Sequence, residues 1–249
     1  MFTRLKCGFH DLVRRTGYEL TPVGQPDFDP AAIKMIRHVH PYTMTGPERL
    51  YALREAVKYV VKSQISGDIV ECGVWQGGSM MAAALTLLEF NDEARDLYLF
   101  DTYQGTPAPT DADKNWQGDT ATAVLDCESQ AASWNWAIAS LESVQANMYS
   151  TGYNKDRLHF VKGRIEHTIP EQSPQRIAVL RLDTDWYEST YHALTYLYPR
   201  LVVGGVLILD DYGHWEGARK AVDQYFEEEG LPLLLSRVDY TGRMAVKWK

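Results

Sequence analysis

Short apolar runs alternate with amphipathic stretches along most of the chain. Five runs have the length and continuous apolar character of strands buried on both faces, at residues 68–72, 97–101, 158–162, 177–183 and 206–211. Apolar residues recur at helical spacing between or beside these runs, in residues 47–63, 78–90, 188–198 and 216–229. Strands that alternate with helices predict one doubly wound α/β domain with a mostly parallel sheet.

Three segments fall outside this alternation. Residues 1–40 are expected to form an N-terminal helical arm and a loop, and residues 41–249 the main domain, because Pro and Gly are frequent in residues 22–30. Residues 106–155 form a long insertion where a lid or substrate-binding segment would lie. The runs 232–238 and 243–248 predict an antiparallel hairpin at the sheet edge. The arm carries an apolar stripe, for which packing on the domain or on a second subunit is favoured over a membrane surface. Its members are Phe2, Leu5, Phe9, Leu12 and Val13.

Composition and charge narrow the class of partner. Hydrophobic residues make up 45% of the 249 residues and charged residues 23%, an ordinary globular balance. A net charge of −8 argues against a nucleic-acid partner and favours small molecules. Cys7, Cys72 and Cys127 show neither zinc nor disulfide spacing, which suits a reducing cytoplasm. We see no signal sequence and no run of about 18 apolar residues, so we expect a cytoplasmic protein without a membrane partner.

A glycine-rich turn follows the first predicted strand, in the sequence ECGVWQGGS from Glu71 to Ser79. Glycines permit a tight turn and a close backbone approach, and a helix N-terminus can meet an anionic group. Asp101 ends the second strand about 30 residues on, where a carboxylate can bind a ribose diol. The turn does not match GxGxxG. A nucleotide-type cofactor site and a purely structural turn therefore remain equally open, as does an N-cap role for Asp101.

Four acids follow two further predicted strands. Asp183 and Asp185 close one strand, and Asp210 and Asp211 close the next. Neighbouring parallel strands bring such ends together, where four carboxylates would repel each other unless a cation lay between them. Hard oxygen ligands of this kind suit magnesium, manganese or calcium. The alternative is that each acid caps a helix or faces solvent, which is common for a single Asp but a poorer explanation for all four.

Long, ordered motifs resemble the macrocin O-methyltransferase (TylF) family from about Thr43 to the C-terminus. They are GDIVECGVWQGGS, LYLFDTYQGTP, RLDTDWYESTYHALTYLYPRL and GGVLILDDYGHWEGARKAVDQYF. The resemblance implies a class I methyltransferase fold, S-adenosylmethionine (SAM) as methyl donor and Mg²⁺ as the metal, with Mn²⁺ a possible substitute. It implies that Asp183, Asp210 and Asp211 bind the metal and that Asp185 is the general base. Asp185 could instead bind a substrate hydroxyl or a water beyond the metal's own ligands.

The same resemblance implies a SAM site at the ends of the first three strands. We expect it to be formed by Thr45, Glu71, Gly73, Gly77, Gly78, Ser79, Asp101, Gly163, Ile165 and Asp183. Several further residues could have either a ligand-binding role or a purely structural one. Arg164 and Glu166 could line the adenine pocket; Thr43 and Arg49 fall near the methionine end, and Thr45 could equally be an N-cap. His214 and Trp215 could meet the substrate, and Trp134 and Trp136 could stack on a sugar or pack in a core.

The leading hypothesis is therefore an enzyme that methylates a hydroxyl of a sugar or of a sugar-containing small metabolite, as a homo-oligomer. The same metal site would also serve a vicinal phenol of the catechol type. A catalytically silent SAM-binding regulator is a poorer match, because such a protein has no need of four clustered acids. A metal-dependent hydrolase would leave the glycine turn and Asp101 unexplained.

Overall fold

The five apolar runs form strands of one sheet, and helices lie between them, as the sequence predicts. The computed structural model describes residues 26–110, 113–126 and 137–249, so the stripe from Phe2 to Val13, together with Trp134 and Trp136, lies outside the described residues. The strands are β1 (Asp68–Cys72), β2 (Leu97–Asp101), β3 (Leu158–Lys162), β4 (Ile177–Leu182), β5 (Leu201–Leu209), β6 (Ser236–Arg237) and β7 (Arg243–Val246). Within the described part they form one seven-stranded sheet in the order β3-β2-β1-β4-β5-β7-β6.

The helices fill the segments between the strands. They are α1 (Pro30–Val39), α2 (Pro47–Lys62), α3 (Gly78–Glu89), α4 (Ala121–Asp126), α5 (Leu141–Ser150), α6 (Ile165–Thr168), α7 (Tyr187–Leu197) and α8 (Glu216–Glu228). One face of the sheet is covered by α1, α2, α3 and α5, with Val57, Met81 and Val144 fully buried. The other face is covered by α6, α7 and α8, with Leu194 and Val222 in its core. Covered faces explain why the strands are continuously apolar.

Strand direction places a crevice beside β1. The strand pairs in parallel with β2 on one side and with β4 on the other, and β4 pairs in parallel with β5. Strand order thus reverses at β1, and in such sheets ligands bind beyond the carboxyl ends of the strands at that point. The strand β7 runs antiparallel to β5, and β6 antiparallel to β7. The predicted doubly wound fold with a C-terminal antiparallel hairpin is confirmed.

The helix α1 lies within residues 1–40, for which the sequence predicts a helical arm and a loop without locating this helix. Asp29 is its N-cap and accepts a hydrogen bond of 2.8 Å from the Ala32 amide, and Pro30 occupies the first turn. The helix buries Met35 and Val39 in the core shared with α2 and α3. Across the described part of the chain, the helices are too short or too polar to cross a membrane.

Candidate active site

One cavity lies over the carboxyl ends of β1, β2, β4 and β5. At one end it is lined by residues 73–75 of the glycine turn, by Asp101 and by residues 163–166 after β3. At the other end it is lined by residues 183–186, by Asp210 and Asp211, and by His214 and Trp215. The candidate cofactor residues and the candidate metal acids therefore share a single space.

Backbone geometry at the glycine turn explains why Gly73 is needed there. Its φ is 84°, and a Cβ atom on it would lie 1.8 Å from the backbone oxygen of Asp183. The turn is held by Asp101, whose Oδ2 accepts hydrogen bonds from the amides of Val74 (2.6 Å) and Trp75 (3.0 Å). Its Oδ1 accepts one from Tyr103 (2.7 Å). Asp101 thus fixes the glycine turn while facing the cavity.

The predicted SAM residues divide into two groups. Seven of them line the cavity: Thr45, Gly73, Ser79, Asp101, Gly163, Ile165 and Asp183. Glu71, Gly77 and Gly78 are not among the described residues that line it. Gly77 lies against Val144, and a Cβ atom on Gly78 would lie 2.5 Å from the backbone oxygen of Tyr42. These two glycines therefore serve close packing, as glycines in turns commonly do.

Glu71 is buried inside the sheet and forms an ion pair with Arg181 of β4. Burial raises the pKa of Glu71 to about 8, although Arg181 opposes the shift. Glu71 therefore belongs to a buried ion pair beneath the cavity and is not among the described residues that line it.

Three acids meet at the other end of the cavity, and we call Asp183, Asp185 and Asp211 the acid cluster. Each offers a carboxylate oxygen, and these oxygens all lie within 4.8 Å of one another. The amide of Asp185, a residue with a φ of 59°, donates a 3.1 Å hydrogen bond to Oδ2 of Asp211. Desolvation, reinforced by the neighbouring acids, raises the pKa of Asp185 to about 8 and that of Asp211 well above its usual range. A cation would relieve this repulsion, and the donor set is chemically suited to Mg²⁺.

Asp210 points to two arginines instead. Its carboxylate forms ion pairs with Arg49 of α2 and Arg181 of β4. Burial raises the pKa of Asp210, and the two guanidinium groups oppose that shift. The sequence-derived ligand set and the acid cluster thus share Asp183 and Asp211, and differ in having Asp210 or Asp185 as the third acid.

Arg181 was missed by the sequence analysis, although a signal was present. It is the charged residue inside the otherwise apolar run IAVLRL. Lys and Arg are almost never fully buried unless paired, so an arginine in a central strand indicates acid partners.

The insertion forms part of the cavity wall. The ring of Trp186 packs edge-on against Trp215 with centroids 4.9 Å apart, and its Nε1 donates to the Pro107 oxygen at 2.9 Å. Ala121 and Leu125 of α4 bury against these tryptophans. The described part of the insertion thus packs against the acid end of the cavity, as a substrate-binding segment would.

His214 also lines the cavity, with its ring edge-on against Trp215. Burial, with a smaller contribution from Arg49, lowers the pKa of His214. A neutral imidazole at this place can accept or donate a hydrogen bond to a bound hydroxyl.

Comparison with known proteins gives a consistent family assignment. The model of the family described as Macrocin-O-methyltransferase (TylF) matches residues 33–249. A relative from Streptomyces olivaceus, 8-demethyl-8-(2,3-dimethoxy-alpha-L-rhamnosyl)-tetracenomycin-C 4'-O-methyltransferase, is 36% identical over 220 residues, covering 88% of this chain and 80% of the relative. Mycinamicin III 3''-O-methyltransferase from Micromonospora griseorubida is 33% identical over 211 residues, covering 84% of this chain and 78% of the relative.

A solved structure agrees with these relatives. The O-methyltransferase NovP superposes with a TM-score of 0.71 and 31% identity, covering 84% of this chain and 83% of that chain. The resemblance drawn from the four motifs is confirmed by these matches.

Proposed function

Because the chain belongs to the macrocin O-methyltransferase (TylF) family, we propose that it transfers the methyl group of SAM to a sugar hydroxyl of a glycosylated small metabolite, with Mg²⁺ as the metal. The observation that carries the proposal is the single cavity joining the glycine turn and Asp101 to the acid cluster. A donor bound at one end and an acceptor bound at the other would meet within it. Alignment of two reactants in this way supplies much of the rate enhancement of a transfer reaction.

At the donor end, Gly73, Asp101 and Ile165 are proposed to bind SAM. Gly73 lines the cavity with its backbone close to that of Asp183, and Asp101 presents a carboxylate to the cavity beside it. Ile165 contributes an apolar surface suited to a purine ring, next to Gly163. This distribution resembles other nucleotide sites at strand ends, where backbone turns and one acid hold the cofactor.

At the acceptor end, Asp183 and Asp211 are proposed as metal ligands, with Asp210 as the third ligand by family resemblance. When bound, SAM supplies the methyl group and Mg²⁺ lowers the pKa of a coordinated hydroxyl. Asp185 is proposed to accept the proton of the acceptor hydroxyl, since its carboxylate lies in the acid cluster and lines the cavity. Trp186 and Trp215, buried with Ala121 and Leu125 of the insertion, are proposed to limit the access of water from that side.

The mouth of the cavity supports a large, partly apolar acceptor. Met44 and Tyr240 line the cavity and are 38% and 56% exposed. Two further exposed apolar side chains are adjacent to lining residues. The backbone amide of Trp116, which is 58% exposed, donates a hydrogen bond to the backbone oxygen of His214. Ile138, which is 53% exposed, follows Ala137 in the chain. Exposed apolar side chains around a pocket commonly mark a binding surface. A glycoside would place its sugar at the acid cluster and its aglycone against this rim.

Methyl transfer from labelled SAM tests the proposed function directly. We expect product with a sugar attached to an apolar aglycone, because the exposed apolar side chains at the mouth of the cavity would contact the aglycone. EDTA should abolish the transfer and excess Mg²⁺ should restore it, since the acid cluster needs a cation. A catechol acceptor serves as the comparison. Transfer to the catechol alone would contradict the sugar acceptor, and full activity after exhaustive chelation would contradict the metal requirement.

Replacing Asp101 by asparagine tests the donor end. We expect the variant to bind SAM more weakly by roughly 1–3 kcal/mol, because a charge-assisted hydrogen bond to the cofactor is lost. Isothermal titration calorimetry gives the affinity. The matched control is Asp96→Asn, which changes an acid at the opposite end of β2, where Asp96 pairs with Arg157 and His159. Equal SAM affinity in Asp101→Asn and wild type would remove Asp101 from the site.

A further inference from the structure

Arg181 is a charged side chain inside the central sheet. It is 3% exposed, and its neighbours along β4, Leu180 and Leu182, are buried in the apolar core. A guanidinium group is costly to bury unless its donors and its charge are matched by partners. The partners of Arg181 therefore indicate what its position achieves.

Its two terminal nitrogens reach four side chains. Nη1 donates to Oδ2 of Asp183 at 2.8 Å and forms an ion pair with Glu71. Nη2 donates to Oγ1 of Thr45 at 2.9 Å and forms an ion pair with Asp210. Glu71 is the register partner of Arg181 in the adjacent strand β1, so it anchors the guanidinium group from below the cavity. Asp183 and Asp210 are the two partners at the acid end of the cavity.

We propose that Arg181 is a positioning residue that fixes the orientation of the Asp183 carboxylate for binding of a divalent cation. The proposal rests on the metal-dependent part of the proposed function. One oxygen of Asp183 is committed to Arg181, so the carboxylate is held in one orientation while it contributes to the acid cluster. Asp210 is held from both sides, by Arg181 and by Arg49. Residues that hydrogen-bond to metal ligands commonly set metal affinity in this way.

The geometry requires arginine rather than lysine. The planar guanidinium group presents several donors in a fixed fork, whereas an ammonium group is a point charge on a flexible stem. A lysine would retain the positive charge but could not reach Glu71, Asp183 and Asp210 together in one geometry. Arg181→Lys therefore separates the orienting role from simple charge compensation.

Binding of Mn²⁺ alone, followed by electron paramagnetic resonance, tests the proposal without turnover. We expect Arg181→Lys to raise the Mn²⁺ dissociation constant by about 10–100-fold, the range seen when such supporting hydrogen bonds are removed. The matched control is Arg54→Lys. Arg54 is 1% exposed and pairs with Asp29, Glu55 and Glu89, but it is not among the described residues that line the cavity. That control should lower the melting temperature without changing Mn²⁺ affinity.

Each outcome is decisive. Folded Arg181→Lys that binds Mn²⁺ within about two-fold of wild type overturns the positioning role. Loss of Mn²⁺ affinity in Arg54→Lys as large as in Arg181→Lys also overturns it, because the effect would then follow general destabilisation. If Arg181→Lys does not fold, Arg181→Gln is measured, and failure of both to fold assigns Arg181 a purely structural role. A wild-type chain that binds no Mn²⁺ contradicts the metal requirement itself, which is a different failure from an unchanged variant.

Discussion

Replacing Gly73 by alanine is expected to lower the free energy of unfolding by about 3 kcal/mol or more, at the upper end of the usual range for a single substitution. The new Cβ atom would lie 1.8 Å from the Asp183 backbone oxygen, so β1 and β4 must separate where the cavity begins. Residue 73 also adopts a left-handed backbone conformation, with a φ of 84°, which is unfavourable for a residue with a side chain. Urea unfolding of the ligand-free protein measures the change. We expect kcat to fall by roughly 10²-fold, because Asp183 is displaced.

The control for this variant separates the effect of the collision with Asp183 from the effect of the left-handed backbone conformation. Gly152 has a φ of 80°, and a Cβ atom on it would meet nothing within 4 Å. Gly152→Ala should therefore cost only the left-handed conformation itself, roughly 1–2 kcal/mol, and leave kcat unchanged. If both variants lost the same stability, the close approach between Gly73 and Asp183 would not limit the packing of the two strands.

The strands and the positions of the acids were predictable for a physical reason. Strands buried on both faces must be continuously apolar, and parallel strands all end at the same edge of the sheet. The sequence therefore places Asp101, Asp183 and Asp211 at one edge without further information, and the structure has them lining one cavity. The glycine turn was located by the same reasoning. Its individual glycines were not distinguished, because close packing and ligand approach both favour glycine.

The arrangement of Asp210 relative to the acid cluster could not be predicted, because it depends on residues far away in the chain. Arg49 lies 161 residues before Asp210, and Arg181 lies 110 residues after Glu71. Local patterns carry no information on which acid an arginine from another element will approach. The sequence thus groups Asp185 and Asp210 at the proposed metal site, but only tertiary packing places Asp210 beside two arginines and Asp185 beside Asp183 and Asp211.

Exchanging each acid of the Asp183-Thr184-Asp185 segment for asparagine should give two different kinetic results. Asparagine keeps the shape of the side chain and removes its charge, so damage to the core is limited. Asp183→Asn should raise the Mg²⁺ concentration needed for half-maximal activity, because a ligand loses its charge while Arg181 retains a hydrogen-bond acceptor. Asp185→Asn should leave that concentration nearly unchanged and lower kcat by roughly 10²–10⁴-fold, the usual cost of a lost general base.

The Mg²⁺ titration of the two variants, at saturating SAM and acceptor, decides the role of Asp185. Its carboxylate lies with those of Asp183 and Asp211, which is also the arrangement of a third metal ligand. A ligand and a base respond differently to excess cation. Added Mg²⁺ can refill a weakened metal site, but it cannot accept the proton that a missing carboxylate would have taken. Recovery of Asp185→Asn activity at high Mg²⁺ would therefore identify Asp185 as a ligand, and proton removal would have to be assigned to another group in the cavity. A low kcat that persists at every Mg²⁺ concentration would leave Asp185 as the base, with Asp183 and Asp211 holding the cation.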